Sequence, residues 1–305
     1  MDLARAVWDT VRWFDVFEMP VTVTQLRERL VGWRGELPRW YEVREVLDES
    51  PWLRERVEER WGYVCVRGHK SFIQERLRRH TQAQQKWKVA QRCLRVLSRV
   101  PFVRALAGSG SLAWNNTKIG SDLDVLVVAA PGRVWLARLG LLLASELMGR
   151  RRRHFDQQAP DALCLNHYLV EDNLRVVDEI QNLYTATLYS SLVPVYGGGV
   201  WQEFWRVNKD WMRGQLTWLE REGVGSAYVD WEAQERLGGK WLWEAVFLEP
   251  VWDFGEVWAE ACQRFFINRH RKGQGGRVAL SARELAFHPD TKVPAALKRF
   301  SQEFS

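Results

Sequence analysis

Residues 102–130 read FVRALAGSGSLAWNNTKIGSDLDVLVVAA, and their pattern decides the architecture. Phe102 to Ala107 is an apolar run of strand length, closed by Gly108-Ser109-Gly110-Ser111 and followed by Leu112-Ala113, which opens a helix. A second apolar run, Val125 to Ala130, follows Asp122-Leu123-Asp124. The spacing predicts strand, Gly-Ser turn, helix, loop and a second strand that begins with two carboxylates. Alternate residues of a strand project to one face, so Asp122 and Asp124 are expected side by side. Glycine lets the backbone approach a phosphate closely, and a helix start with the Ser111 hydroxyl offers donors to phosphate oxygens. A carboxylate pair suits Mg²⁺ or Mn²⁺, which also keeps waters and substrate phosphates in its shell.

Downstream, an apolar helix spans Gly132 to Met148 and leads through Arg150 to Arg153 into ALCLNHYLV, residues 162–170, which reads as a further strand. Upstream, residues 71–100 form a long helix with repeated basic positions: Arg76, Arg78, Arg79, Lys86, Lys88, Arg92 and Arg95. Its apolar residues, Trp87, Val89, Leu94 and Val96, thicken toward the end, where it should pack on the next domain. Residues 1–70 read as three helices and a hairpin. Leu3, Val7, Val11 and Phe14 stripe the first helix, the second starts after Thr24, and Trp40, Val43, Val46 and Leu47 stripe the third. VEERWGYVCV, residues 57–66, turns near Arg60-Trp61-Gly62. That order is winged-helix-like, with residues 39–48 in the place of a recognition helix. Glu42, Glu45, Asp48 and Glu49 offset Arg39 and Arg44 there, so nucleic-acid binding and a structural or protein-docking role both stay open.

Gly110-Ser111, ten intervening residues, then Asp122-Leu123-Asp124 in an apolar strand resembles the signature of the DNA polymerase β-type nucleotidyltransferase superfamily. The resemblance covers about a quarter of the chain. It implies an α+β fold with a small mixed sheet and flanking helices, a nucleoside triphosphate substrate bound at Gly110 and Ser111, and a divalent metal at Asp122 and Asp124. It also implies transfer of a nucleotidyl group to a hydroxyl acceptor, and a third carboxylate on a later strand. The central polar residue of that strand is Asn166, an amide that can offer one oxygen to a metal but no charge and no base. Asp161 is the reserve acid, with Asp156 a further one, and His167 takes a structural role on the opposite face. Two readings follow: an active transferase acting on nucleic acid, a protein or a small molecule, or a nucleotide- or nucleic-acid-binding protein whose core has lost much of its chemistry.

The rest of the chain bounds these readings. With 305 residues, 46% hydrophobic and 27% charged, it has the balance of a globular protein of two or three modules, drawn at 1–70, 71–100, 101–195 and 196–305. The N-terminus lacks an export signal, and Val134 to Met148 is too short to span a bilayer, so a cytoplasmic protein is expected. Cys65, Cys93, Cys164 and Cys262 have neither paired nor zinc-ligand spacing and read as reduced core residues. Eighteen tryptophans are spread along the chain and read mainly as packing. A net charge of +6 favours an anionic partner. Beyond residue 171 the pattern reads as helices near 173–192, 200–221, 231–246, 252–270 and 281–302. The segment from Arg269 through Arg271 and Lys272 to Arg277 reads as a flexible basic loop able to grip a polyanion.

Overall fold

Asp2 opens the first helix, α1 (Leu3–Asp15), by accepting the Arg5 amide at 2.7 Å, and the helix buries Val7, Val11, Trp13 and Phe14. The structure is a computed structural model and describes residues 1–152, 159–217, 244, 249–270, 277–288 and 292–302. A two-residue strand, β1 (Val21–Thr22), leads into α2 (Val23–Glu28). The cap of α2 is Thr22, not Thr24: Thr22 accepts from the Gln25 amide and the Gln25 side chain accepts from the Thr22 amide. Only Thr22 has a Gln three residues on to complete that reciprocal pair. Helices α3 (Trp40–Glu49) and α4 (Pro51–Arg54) follow, then the hairpin β2 (Val57–Arg60) and β3 (Tyr63–Val66). Trp61 and Gly62 both have positive φ, 53° and 76°, the backbone that a two-residue hairpin loop needs. The three strands pair antiparallel in the order β1-β3-β2.

Helix α5 (Ser71–Leu97) is the long basic helix, but its charges divide by face. Arg76, Arg79 and Lys86 are buried. Arg76 donates to the carbonyls of Trp114 and Asn115, and burial lowers its pKa to about 10. Arg79 pairs with Glu75 and Glu18. These three therefore fasten the fold and are not free for a polyanion, whereas Lys88, Arg92 and Arg95, with Arg99 just beyond the helix, lie exposed on the other face.

Among the described residues, the central sheet has six strands in the order β7-β4-β5-β6-β9-β8. In chain order the elements are β4 (Val103–Gly108), α6 (Gly110–Ala113), β5 (Leu123–Ala129), α7 (Val134–Leu147), β6 (Leu163–Val170), α8 (Leu183–Ser190), β7 (Val193–Tyr196), α9 (Gly198–Arg213), α10 (Glu249–His270), β8 (Arg277–Leu280), β9 (Glu284–His288) and α11 (Lys292–Gln302). Only β5 and β6 run parallel, joined through α7; the other neighbours are antiparallel, so the sheet is mixed and the class is α+β. The C-terminal region is not all helix: β7, β8 and β9 join this sheet. Arg283-Glu284-Leu285-Ala286 has good helix formers, but pairing with the edge of β6 outweighs local propensity. The expected helix at 231–246 falls outside the described residues, Glu244 apart.

The two sheet faces bury different partners. Ala105, Ala107, Leu126, Val128 and Leu169 share one apolar cluster with Trp13, Phe14, Leu26 and Leu30 of the N-terminal elements and with Trp201 and Phe204 of α9. Leu106, Val125, Val127, Tyr168 and Val170 pack on the opposite side against Trp87 and Leu94 of α5, Trp135 and Leu141 of α7, and Ala259 of α10. Polar ties reinforce the first side: the Trp13 indole donates to Thr187 at 2.9 Å and the Asn116 amide donates to the Phe17 carbonyl at 3.1 Å. Among the described residues, no helix is long and apolar enough to cross a membrane.

Candidate metal centre

The turn after β4 and the start of β5 are locked together by backbone. Ser109 donates its amide to the Asp124 carbonyl at 2.9 Å, and Gly108 is paired with Val125. Gly110 has φ +58°, and a Cβ built on it would lie 2.6 Å from Oδ2 of Asp124. Glycine is therefore required twice here, once for conformation and once because the carboxylate occupies the space of a side chain. Ser111 sits half-buried in the first turn of α6.

Asp122, Asp124 and Cys164 each bring a ligand atom within 4.8 Å of the other two. Asp124 lies directly across the parallel pair from Cys164, and the next pairing is Leu126 with His167. Between them β6 has one residue more than β5, Leu165 and Asn166 standing against Val125 alone. This irregularity turns the expected alternation. Cys164 faces the carboxylates, and His167 falls on the same side of the sheet as Asp124 instead of the opposite one. Asn166 lies on β6 as expected but within the irregular stretch, two residues beyond the thiol. His167 is buried between the Glu284 carboxylate at 3.2 Å and the Tyr189 hydroxyl at 3.4 Å.

Arg152 sits on the cluster, pairing with Asp122 and pointing a nitrogen at Cys164 Sγ at 3.4 Å. Burial raises the pKa of the Cys164 thiol well above the usual range, and the Asp124 and Asp122 carboxylates push it the same way. From α8, half-buried Tyr184 stands near Asp124; burial and that negative charge both raise its pKa. Tyr184 packs edge-on to Trp114, with ring centroids 6.4 Å apart.

Asp161, the reserve acid, lies outside this cluster. Its carboxylate pairs with Lys86 Nζ at 2.7 Å, and the same ammonium donates to the Ser121 carbonyl at 2.8 Å. Buried Lys86 thus ties the residue before Asp122 to the turn before β6. Lys86→Met is expected to cost about 1–3 kcal/mol, the scale for losing a charge-assisted bond from a partly shielded pair. Urea unfolding checks this, and Asp161→Asn added to Lys86→Met should recover part of the loss. Full additivity of the two changes would show that the tie contributes nothing.

The expected polyanion grip is described only at its two ends. Arg269 is exposed in the last turn of α10, and Arg277 opens β8; Arg271 and Lys272 lie outside the described residues. The third helix of the N-terminal module carries mixed charge. Arg44 is held by Asp48 and Glu59, leaving exposed Glu45, Asp48 and Glu49 on the solvent side.

The sequence reading missed Cys164, Arg152 and Lys86. Cys164 and Asn166 are separated by an even step, so an alternating strand put both on one face and chemistry favoured the amide as the polar one. Only the extra residue in β6 distinguishes them. Compared with protein-family models, with curated proteins and with solved structures, the chain matches none, and the candidate centre rests on its own residues.

Proposed function

We propose that the chain is a metal-dependent nucleotidyltransferase that moves a nucleoside monophosphate from a triphosphate to a hydroxyl acceptor, with nucleic acid as the acceptor class. One observation carries this reading. Two carboxylates converge at the mouth of a positive-φ glycine turn whose Cα abuts the Asp124 side chain. A triphosphate laid along that turn would meet backbone and the carboxylate pair together.

In this reading the acceptor hydroxyl oxygen forms a bond to the α-phosphorus and its proton passes to solvent, while the bond to the bridging oxygen breaks and pyrophosphate leaves. A bound divalent cation would align the two oxygens and neutralise charge on the phosphates. Asp122 and Asp124 would hold it, after Arg152 has moved off Asp122. Gly110 would let the chain approach the phosphates, and Asn166 would orient a hydroxyl without taking its proton. Mg²⁺ fits the carboxylates; the thiol of Cys164 is not a magnesium ligand.

A second reading has its own support: no acid is described at the third position, and an arginine already neutralises Asp122. The chain would then be a nucleotide- or nucleic-acid-binding protein with weakened chemistry. Incubation with each labelled triphosphate, Mg²⁺ or Mn²⁺, and RNA, DNA or protein acceptors decides between them. Labelled product is expected, and its identity names the acceptor. Triphosphate binding without product in any combination would overturn the transferase and leave the binder.

For the acceptor, exposed Lys88, Arg92 and Arg95 on α5 and Arg99 just beyond it offer a basic face, and no ion pair joins them to a described residue. The winged-helix-like N-terminal elements, with their acidic third helix, better suit protein docking. Neutralising these four positions should weaken binding equally across sequences and reduce the log–log salt slope by roughly 3, since each phosphate contact contributes about 0.9 for a duplex or 0.7 for a single strand. Salt-insensitive binding in the unaltered protein would move the acceptor to a protein or small molecule.

A further inference from the structure

The carboxylate pair shares its centre with a thiol, and that changes which ion belongs there. Cys164 is 7% exposed, it sits across the sheet from Asp124, and its sulfur completes a three-atom set no wider than 4.8 Å. Zinc bonds run to about 2.3 Å for sulfur and about 2.0–2.2 Å for carboxylate oxygen, so donor atoms sharing one tetrahedral ion stand about 3.3–3.6 Å apart. A donor pair at the 4.8 Å limit closes by roughly 1 Å to share a single cation.

The donor set discriminates among cations. Mg²⁺ demands oxygen ligands in near-ideal octahedral geometry and gains nothing from sulfur. Thiolate is a soft donor that favours zinc and its heavier relatives, while a pure carboxylate site leaves the choice to geometry and supply. Cys164 loses its proton to solvent as it binds, so the three anionic donors together outweigh the charge of one dication.

Arg152 supports the same conclusion from the other side. Its guanidinium touches both Asp122 and Cys164 Sγ, the donor atoms that a cation would take. The structure therefore already places a positive group where oxygen and sulfur donors meet, and a metal competes with that group for them.

We propose that Asp122, Asp124 and Cys164 form a mixed carboxylate–thiolate centre selective for a thiophilic divalent cation, zinc being the natural occupant, over Mg²⁺. This rests on the reading that the two aspartates hold metal, and it goes beyond it in assigning the third ligand and the ion class. Arg152 is the protein's own cation at these donors, and a bound metal displaces it.

The test is a titration of the full chain with Cd²⁺, followed by the ultraviolet sulfur-to-cadmium charge-transfer band, in the presence of excess Mg²⁺. A saturable band of one equivalent is expected that Mg²⁺ does not suppress. It should vanish in Cys164→Ser and weaken in Asp122→Asn, with Cd²⁺ affinity falling by at least about 10- to 100-fold, the scale that even a supporting contact to a metal ligand commands. Cys164→Asp, which supplies an oxygen donor in the same place, should lose the band and bind Mg²⁺ more tightly than the natural chain. Asn166→Asp should change Mg²⁺ affinity less, because Asn166 lies within the irregular stretch, where it has no register partner on β5. Arg152→Ala should tighten Cd²⁺ binding by removing the competitor.

No band in the natural chain, or a band that survives Cys164→Ser because another cysteine carries it, overturns the proposal. The outcomes also separate it from the transferase reading. Labelled product with Mg²⁺ and no cadmium band leaves the transferase standing without its thiolate, whereas a Cys164-dependent band without product leaves the centre standing without the transfer.

Discussion

Asp124→Asn is expected to lower nucleotidyl transfer by about 10²- to 10³-fold, the scale seen when one electrostatic stabiliser of a developing charge is removed. The amide keeps the size and one oxygen of the carboxylate, so packing against Gly110 survives while the charge that holds a cation does not. Folding should be spared. Asp124 has a like-charged neighbour in Asp122, and relieving that repulsion offsets what is lost, so Tm should stay within about 2–4 °C, the change that about 1 kcal/mol produces in a chain of this size. Gly110→Ala approaches the same defect from the backbone. The new Cβ at φ +58° would stand 2.6 Å from Asp124 Oδ2, and the carboxylate must move. Transfer should fall in both variants, with metal affinity falling alongside. If an Asp122→Asn, Asp124→Asn double variant transfers at the natural rate, the centre lies elsewhere in the chain.

Why part of this centre was legible in the sequence and part was not follows from how far each feature reaches along the chain. Asp122 and Asp124 sit two apart on one strand, so local alternation alone put them on a common face. The strands β4, β5 and β6 and helices α5 and α7 were legible for the same reason: each is long and strongly patterned. Cys164 required knowledge of the register between β5 and β6, which one extra residue resets, and no period within β6 reveals that residue. Arg76 and Lys86 looked like members of a solvated basic run because burial is set by what packs on the helix, here the Trp114-Asn115 turn and the Ser121 carbonyl. Strand β9 was read as helix since Glu, Leu and Ala favour one; of its two partners β6 lies more than a hundred residues away in sequence, and the nearer one, β8, begins at Arg277, which the sequence places in a basic loop.

Trp87→Ala should be among the most damaging single substitutions for stability, at about 3–5 kcal/mol, the range for emptying a buried tryptophan site. Trp87 is 1% exposed in the cluster where α5 meets the sheet. Its ring also fills the space beside Gly108, where a built Cβ would stand 2.4 Å from Cη2 and 3.2 Å from Cζ2. Gly108→Ala should therefore cost about 1–3 kcal/mol by overpacking. It should also weaken metal binding, although Gly108 carries no ligand, because the turn it enters holds Ser109 on the Asp124 carbonyl and Gly110 on the Asp124 side chain. The ring and the glycine are in direct contact, so the two changes should not add. Trp87→Phe, with a smaller ring, makes room for the alanine methyl, and the double variant Trp87→Phe, Gly108→Ala should be more stable than the sum of the single losses predicts, with metal affinity partly restored. Equal losses, simply summed in urea unfolding, would mean that Trp87 supports the core without setting the position of the glycine turn, and that α5 is not the element that aims the carboxylates.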